Sequence, residues 1–374
     1  MTQKPGSEIY IGLMSGTSLD GVDVAIVDFS DFPPRLLHCS TSPYSESLRN
    51  RLHGLCQSET TTLDNLYDLD AELGELYAES INHALELASL DRAKVIATGC
   101  HGQTIRHRPD SRRPFSAQIG DPNRVAALTG ITTVADFRRK DIAVGGEAAP
   151  LAPAFHRFLF RSDDEDRGLI NIGGIANITY LPGNPAAPVV GFDTGPGNTL
   201  LNYWNETHQK TPFDDAGNWA RSGQVIEKLL EDIMAAEDYF RLAPPKSTGT
   251  EYFNAKWLMR FLRDDYAPND VQATLVELTA TTIANALAGL PQLPTNCFVC
   301  GGGTHNQYLL ERLAQKLPQC GVATTSTLDL DPDFVEAVAF AWLARERVNL
   351  RSGNIPEVTR ASRRAILGGI YAPD

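Results

Sequence analysis

The hydrophobic and polar positions divide the chain into two similar runs. Ile9–Met14 is apolar, a small polar turn follows at Ser15–Gly21, and Val22–Asp28 partly alternates. Pro33-Pro34 breaks the chain and Arg35–Ser40 resumes an extended pattern, so the segment predicts a three-strand meander. Thr62–Ser89 then carries Leu63, Leu66, Leu69, Leu73, Leu76, Ile81 and Leu85 near one helical stripe, which predicts a long amphipathic helix. Val95–Thr98 and Thr132–Val134 read as short buried strands.

After the acidic loop Ser162–Asp166 the cycle repeats. Gly168–Ile172 reads as a strand, Gly173-Gly174 turns it, Ile175–Leu181 runs back, and Pro188–Phe192 is a third strand stopping at Asp193. Helices and strands alternate afterwards: Val271–Leu290, Cys297–Cys300, Asn306–Leu317, Val322–Ser326 and Pro332–Val348. The repeated pattern predicts a duplicated α/β fold of two lobes with a cleft between them, a favoured place for a ligand. Residues 1–140 with 350–374 are assigned to the first lobe and 141–349 to the second, with Arg138–Leu151 as the crossing.

Bulk properties narrow the function. A length of 374 residues favours more than one domain. A formal net charge of −13 argues against a general nucleic-acid binder, whose footprint is basic. It leaves room for an anionic ligand held by backbone donors and a few arginines. No apolar run reaches the length of a membrane span, and none reads as a signal peptide. Six cysteines in a chain of this size do not make a disulfide framework. Cys297 and Cys300 form C-x-x-C on a strand, where residues three apart point to opposite faces. They read as buried strand cysteines rather than a metal or redox pair.

Three glycine-bearing turns follow apolar strands: Gly12–Gly21, Gly191–Asn198 and Cys300–Thr304. Glycine lets backbone approach a ligand closely, and small hydroxyls add donors. Together they predict a nucleotide held between two lobes. The two commonest nucleotide signatures fail. Lys246-Ser247 is the nearest P-loop candidate, but Phe240 and Pro245 stand where glycines belong, and the Gly301-Gly302-Gly303 run reaches Asn306 where G-x-G-x-x-G needs a glycine. Phosphoryl transfer asks mainly for positioning and charge neutralisation. Ser15–Gly21 offers N–H groups and hydroxyls to a phosphate tail, and Gly301–Gly303 lets backbone lie flat against a base or ribose. Asp193, at a strand end, is a candidate general base. His101, Gln103, Asp136 and Arg138 are expected just past two strand ends, with His101 in an exposed loop, and Arg138 suits a bidentate carboxylate contact. Glu336 sits on an apolar helix, where a carboxylate is costly unless paired or liganded.

Met14–Asp23, Cys100-His101-Gly102-Gln103-Thr104, Ala135-Asp136-Phe137-Arg138, Ile172–Asn177 and Phe192–Asn198 resemble the anhydro-N-acetylmuramic acid kinase family, within the actin-like, ribonuclease H-like kinase superfamily. The resemblance covers nearly the whole chain. It implies a cytoplasmic ATP- and Mg2+-dependent enzyme of cell-wall recycling, expected to be a homodimer, that opens a 1,6-anhydrosugar with water and phosphorylates O6. It places the base on Asp193. Nucleotide contacts fall on Gly16, Thr17, Ser18, Leu19, Asp20, Gly21, Val22, Asp23, Gly173, Gly174, Gly301, Gly302 and Gly303. Substrate contacts are assigned to His101, Gln103, Asp136, Arg138 and Glu336. The superfamily's first phosphate motif opens with an Asp; here Gly12-Leu13-Met14-Ser15 stands there and Asp20 comes later, so the direct metal ligand stays unassigned. Another sugar kinase of this fold, or a nucleotide-switched binding protein, are the alternative readings.

Overall fold

The structure, a computed structural model, describes residues 7–16, 18–58 and 60–374; Thr17, one of the expected nucleotide contacts, lies outside them. The strands are β1 Ile9–Ser15, β2 Gly21–Asp28, β3 Arg35–Pro43, β4 Val95–Arg108, β5 Phe115–Ile119, β6 Thr133–Ala135, β7 Arg167–Ile172, β8 Ile175–Leu181, β9 Val190–Pro196, β10 Asn296–Cys300, β11 Gly321–Thr324 and β12 Gly369–Tyr371. They form two sheets, one in each of two compact units.

The first unit comprises Met1–Phe155 with Phe334–Asp374. Its sheet runs β12-β6-β4-β1-β2-β3, with β5 paired to β4. β1, β2 and β3 are antiparallel neighbours, as the meander predicts, while β1, β4 and β6 are parallel. The second unit, His156–Asp333, runs β11-β10-β7-β8-β9. Here β7, β8 and β9 are antiparallel and β7, β10 and β11 parallel. The path β6-β4-β1-β2-β3 thus recurs as β11-β10-β7-β8-β9. This is the duplicated α/β fold, one copy per unit.

The unit boundaries differ from the expected ones at 140 and 349. Helix Val335–Val348 packs on the first sheet, because a Cβ on Gly12 of β1 would overlap the Ala337 carbonyl and one on Gly99 of β4 the Phe340 carbonyl. Two glycines and an alanine-rich helix face let backbones meet directly. That contact fixes Glu336, in the helix's first turn, beside the end of β1.

The long helix forms over Leu63–Leu87, capped by the Thr62 side chain on the Asn65 N–H at 3.1 Å. Leu69, Leu73, Ile81 and Leu85 of its stripe are buried and Leu76 partly so, joining Ile11, Leu13, Val24, Ile26 and Tyr77 in the first core, whereas Leu63 is 72% exposed. The second core gathers Ile170, Ile178, Leu275, Ile283, Val299 and Leu309 around the 21-residue helix Pro268–Ala288. Among the described residues no helix is long and apolar enough to cross a membrane.

Candidate functional site

In the first unit, β1 ends at Ser15 and β2 begins at Gly21, leaving the turn between them. Leu19 occupies the left-handed region at φ 58° and, like Val22, buries its side chain in the core. These two therefore offer a ligand only backbone. A Cβ at Gly16 would meet nothing closer than the Ser18 Oγ at 3.6 Å, so the turn is open there. Asp20 is exposed, and Asp23 accepts from Thr41 Oγ1 at 2.6 Å.

His101 and Gln103 do not lie past a strand end. β4 continues through them to Arg108, because β5 supplies an antiparallel partner for Gln103–Arg108, with Gly102 at φ 74° marking the change of partner. Gln103 is fully buried. It accepts from Ser15 Oγ at 2.5 Å and donates from Nε2 to the Gly16 carbonyl at 3.1 Å. With the Ser15 hydroxyl proton so used, Tyr44 O–H donates to Ser15 Oγ at 2.5 Å. Gln103 therefore holds the turn rather than facing a ligand.

His101 is buried as well, which corrects the exposed-loop expectation. Arg138 donates to its Nε2 from Nε at 3.2 Å and from Nη2 at 2.9 Å. A guanidinium only donates, so Nε2 accepts and the proton sits on Nδ1, 3.3 Å from the Ser15 carbonyl. Burial, then the Arg138 charge, pushes this imidazole down to about 3. It is neutral at physiological pH and positions rather than titrates.

Arg138 also donates from Nη1 to the Ala148 carbonyl at 2.5 Å, which leaves one hydrogen on each terminal nitrogen for a ligand. Arg139 and Lys140 are exposed. The Ala148 loop is itself held by fully buried Asp141, which accepts from Ala148 N at 2.8 Å, Asn354 Nδ2 at 2.7 Å and Thr359 Oγ1 at 2.9 Å. Glu336 is raised by burial and the Asp23 charge, and Arg138 opposes them. Asp136 stands past β6 as expected, 3.3 Å from Arg139 and raised by burial.

In the second unit, Asp193 lies within β9 rather than at its end. Asn177 pairs with Asp193 but Ala176 with Gly195, so Thr194 is an extra residue in a bulge. A bulge turns the strand and re-aims its side chains. The backbone groups of Asp193 go elsewhere: its N–H donates to the Lys246 carbonyl at 3.2 Å and its carbonyl accepts from Tyr239 O–H at 2.8 Å. The carboxylate accepts from Thr248 N at 3.0 Å. Burial pushes it up to about 7, against the Thr248 hydrogen bond and the Lys246 charge, while Glu251 adds to the rise. Lys246 donates to the Tyr239 carbonyl at 3.0 Å and lies 4.6 Å over the Tyr239 ring. The sequence brings up Lys246 only as a failed P-loop candidate, and Tyr239 and Thr248 not at all. The available signal for this partner segment is the polar Lys246-Ser247-Thr248-Gly249-Thr250-Glu251 run after Pro244-Pro245.

The carbonyls of Gly173 and Gly174 accept the N–H groups of Asn198, Gly197 and Thr199 at 2.8–3.2 Å, so this turn seats the start of helix Asn198–Gln209. Gly301, at φ 81°, presses on Asn171 and Ile172, and Gly303 on Ile172, where a Cβ would collide. Gly302 is different: a Cβ there meets only Asn198 Nδ2 at 3.8 Å. Among the described residues no group of three or more His, Cys, Asp or Glu side chains gathers as a metal cage.

The profile of the family described as anhydro-N-acetylmuramic acid kinase matches residues 8–373. Proteins of that description from Pasteurella multocida, Saccharophagus degradans and Coxiella burnetii are 50%, 49% and 47% identical over 371, 373 and 365 residues. These matches cover 97–98% of this chain and 97–99% of theirs.

Proposed function

The chain belongs to the anhydro-N-acetylmuramic acid kinase family, and from that premise we propose how its residues carry the reaction. It is an ATP-dependent kinase that converts 1,6-anhydro-N-acetylmuramic acid to N-acetylmuramic acid 6-phosphate, a step of cell-wall recycling. A water attacks the anomeric carbon, the bond from that carbon to O6 breaks, and O6 takes the γ-phosphoryl group as its bond to ADP breaks. The water's proton goes to Asp193.

The observation that carries this reading is the Asp193 carboxylate, aimed by a bulge, held by Thr248 N–H and pushed up to about 7. A base titrating near the working pH combines a large ionised fraction with real proton affinity. Lys246 keeps that carboxylate charged once water is excluded. On the first unit, Arg138 presents its two remaining hydrogens to the lactyl carboxylate, and Glu336 and Asp136 serve the sugar's polar groups. His101 and Gln103 act behind them, fixing Arg138 and the Ser15–Gly16 turn.

The nucleotide's phosphates take backbone donors of the Gly16–Asp23 segment, and Gly302 gives the adenosine side a close approach. Mg2+ usually keeps several waters and binds through one or two carboxylates plus substrate phosphates, so it would need no protein cage here. Exposed Asp20 fits that role, and the ion would neutralise phosphate charge. The protein works in the cytoplasm as a homodimer.

The test is ADP release with the anhydrosugar, with free N-acetylmuramic acid, and with neither. ADP is expected only with the anhydrosugar. Equal release with the free sugar would favour a kinase for a preformed hydroxyl; release with neither above background, and nucleotide binding alone, would favour a binding protein.

A further inference from the structure

The C-x-x-C of the sequence does not supply Cys297 with its partner. Cys297 Sγ lies 3.2 Å from Cys320 Sγ. Cys297 stands in β10, and Cys320 immediately precedes β11, the edge strand of the second sheet. The register pairs Asn296 with Gly321 and Cys297 with Val322, so the two sulfurs come from adjacent backbones. None of the six cysteines is in a disulfide. A disulfide needs sulfurs 2.03–2.05 Å apart, so closure asks for roughly 1.2 Å of approach.

The two thiols are unequal. Cys297 is 0% exposed and Cys320 8%. The Cys297 thiol lowers Cys320 against its burial, while Cys297 itself is raised by that contact and by burial. Cys320 is the more accessible of the two, and a sulfenic acid formed beside a second thiol closes to a disulfide.

We propose that Cys297 and Cys320 are a peroxide-reactive dithiol that closes to a reversible disulfide. Cys320 Sγ, as thiolate, attacks a peroxide oxygen; the O–O bond breaks and hydroxide leaves, taking a proton to become water. Cys297 Sγ then attacks the resulting sulfenic sulfur, the S–S bond forms, and hydroxide leaves with the Cys297 proton as a second water. Two thiols are oxidised and one hydrogen peroxide is reduced to two waters. A small dithiol reverses the bond by exchange. The closed loop contains helix Gln307–Lys316 and Gly301–Gly303, so the bond would tie the edge strand to β10 beside the proposed nucleotide turn. Only that last consequence rests on the function proposed above; the bond itself does not.

The experiment treats the full-length reduced protein with hydrogen peroxide, removes the peroxide with catalase, blocks remaining thiols and maps peptides by mass spectrometry. A Cys297–Cys320 crosslink is expected, with two of the six thiols lost to titration and restored by dithiothreitol. Cys297→Ser should stop at a Cys320 sulfenic acid that dimedone traps, and Cys320→Ser should leave Cys297 unmodified. A Cys297–Cys300 link, six intact thiols in the treated folded protein, or sulfenic acid on Cys297 in the Cys320→Ser variant would each overturn the proposal.

Discussion

Replacing Asp193 by Asn removes the proposed base while keeping its shape. The Asn carbonyl can still accept from Thr248 N–H, so the 3.0 Å contact survives. What is lost is the proton acceptor, and removing a general base lowers turnover by about 10²–10⁴-fold. The pH profile should change with it. In the wild type, kcat/KM should fall about tenfold per pH unit below about 7, where the carboxylate takes its proton. The residual rate of Asp193→Asn should be flat across that range.

Stability should move in the opposite direction to activity. The folded carboxyl binds its proton more tightly than the unfolded one, so stability is lost as pH rises from the ordinary value of 3.8 through about 7. A rise of that size corresponds to about 4 kcal/mol as an upper figure. The group is partly exposed, and the substitution removes a negative charge that favours the Lys246 ammonium, so a gain of about 1–2 kcal/mol at pH 8 is expected. Urea unfolding at pH 8 and pH 4 measures it, and the gain should shrink toward zero at the lower pH. A rate within a few-fold of wild type, with sugar and ATP binding intact, would refute the role. So would a wild-type profile flat between pH 6 and 8 when chemistry is rate-limiting.

Gly302→Ala and Gly16→Ala fit the fold without overlap, so each should raise the KM for ATP several-fold and leave the melting temperature in place; an unchanged KM for ATP would remove both turns from the nucleotide site. Gly301→Ala, which collides with Asn171 and Ile172, should instead lower the melting temperature, and a fully stable variant would contradict the packing described. Arg138→Ala should weaken the anhydromuramic substrate by roughly ten- to a hundredfold beyond any loss seen with the anhydro-N-acetylglucosamine analogue, which lacks the carboxylate. Equal losses in steady-state kinetics would mean that Arg138 acts only through His101.

The meanders are legible in the sequence because Pro33-Pro34 and Gly173-Gly174 punctuate them and their strands are apolar or alternating. β4 reads too short because His101, Gln103 and Arg106 look like loop residues; only the distant β5 explains why they continue a strand. The boundary at 334 is hidden because a glycine reads as a turn until a helix is seen lying on it, as at Gly12 and Gly99. Asp193 stands out through its neighbours in sequence, yet its bulge and its partners at 239–251 come from long-range pairing. Arg138 stands out as a ligand contact, and the reason it can be held there, Asp141 beneath the Ala148 loop, carries no local signal. Gln103 shows the reverse: a polar residue beside glycines looks exposed, but its amide is buried against Ser15 and Gly16.

The most direct test of the reaction is to run one turnover in 18O-labelled water with ATP and the anhydrosugar, quench, and weigh the sugar product and its phosphate group. The product should be heavier than the substrate by one water and one phosphoryl group, its phosphate free of label, with one ADP formed for each. A phosphorylated sugar that keeps its anhydro bridge, a phosphate carrying 18O, or ADP formed without any sugar phosphate would contradict ring opening coupled to transfer.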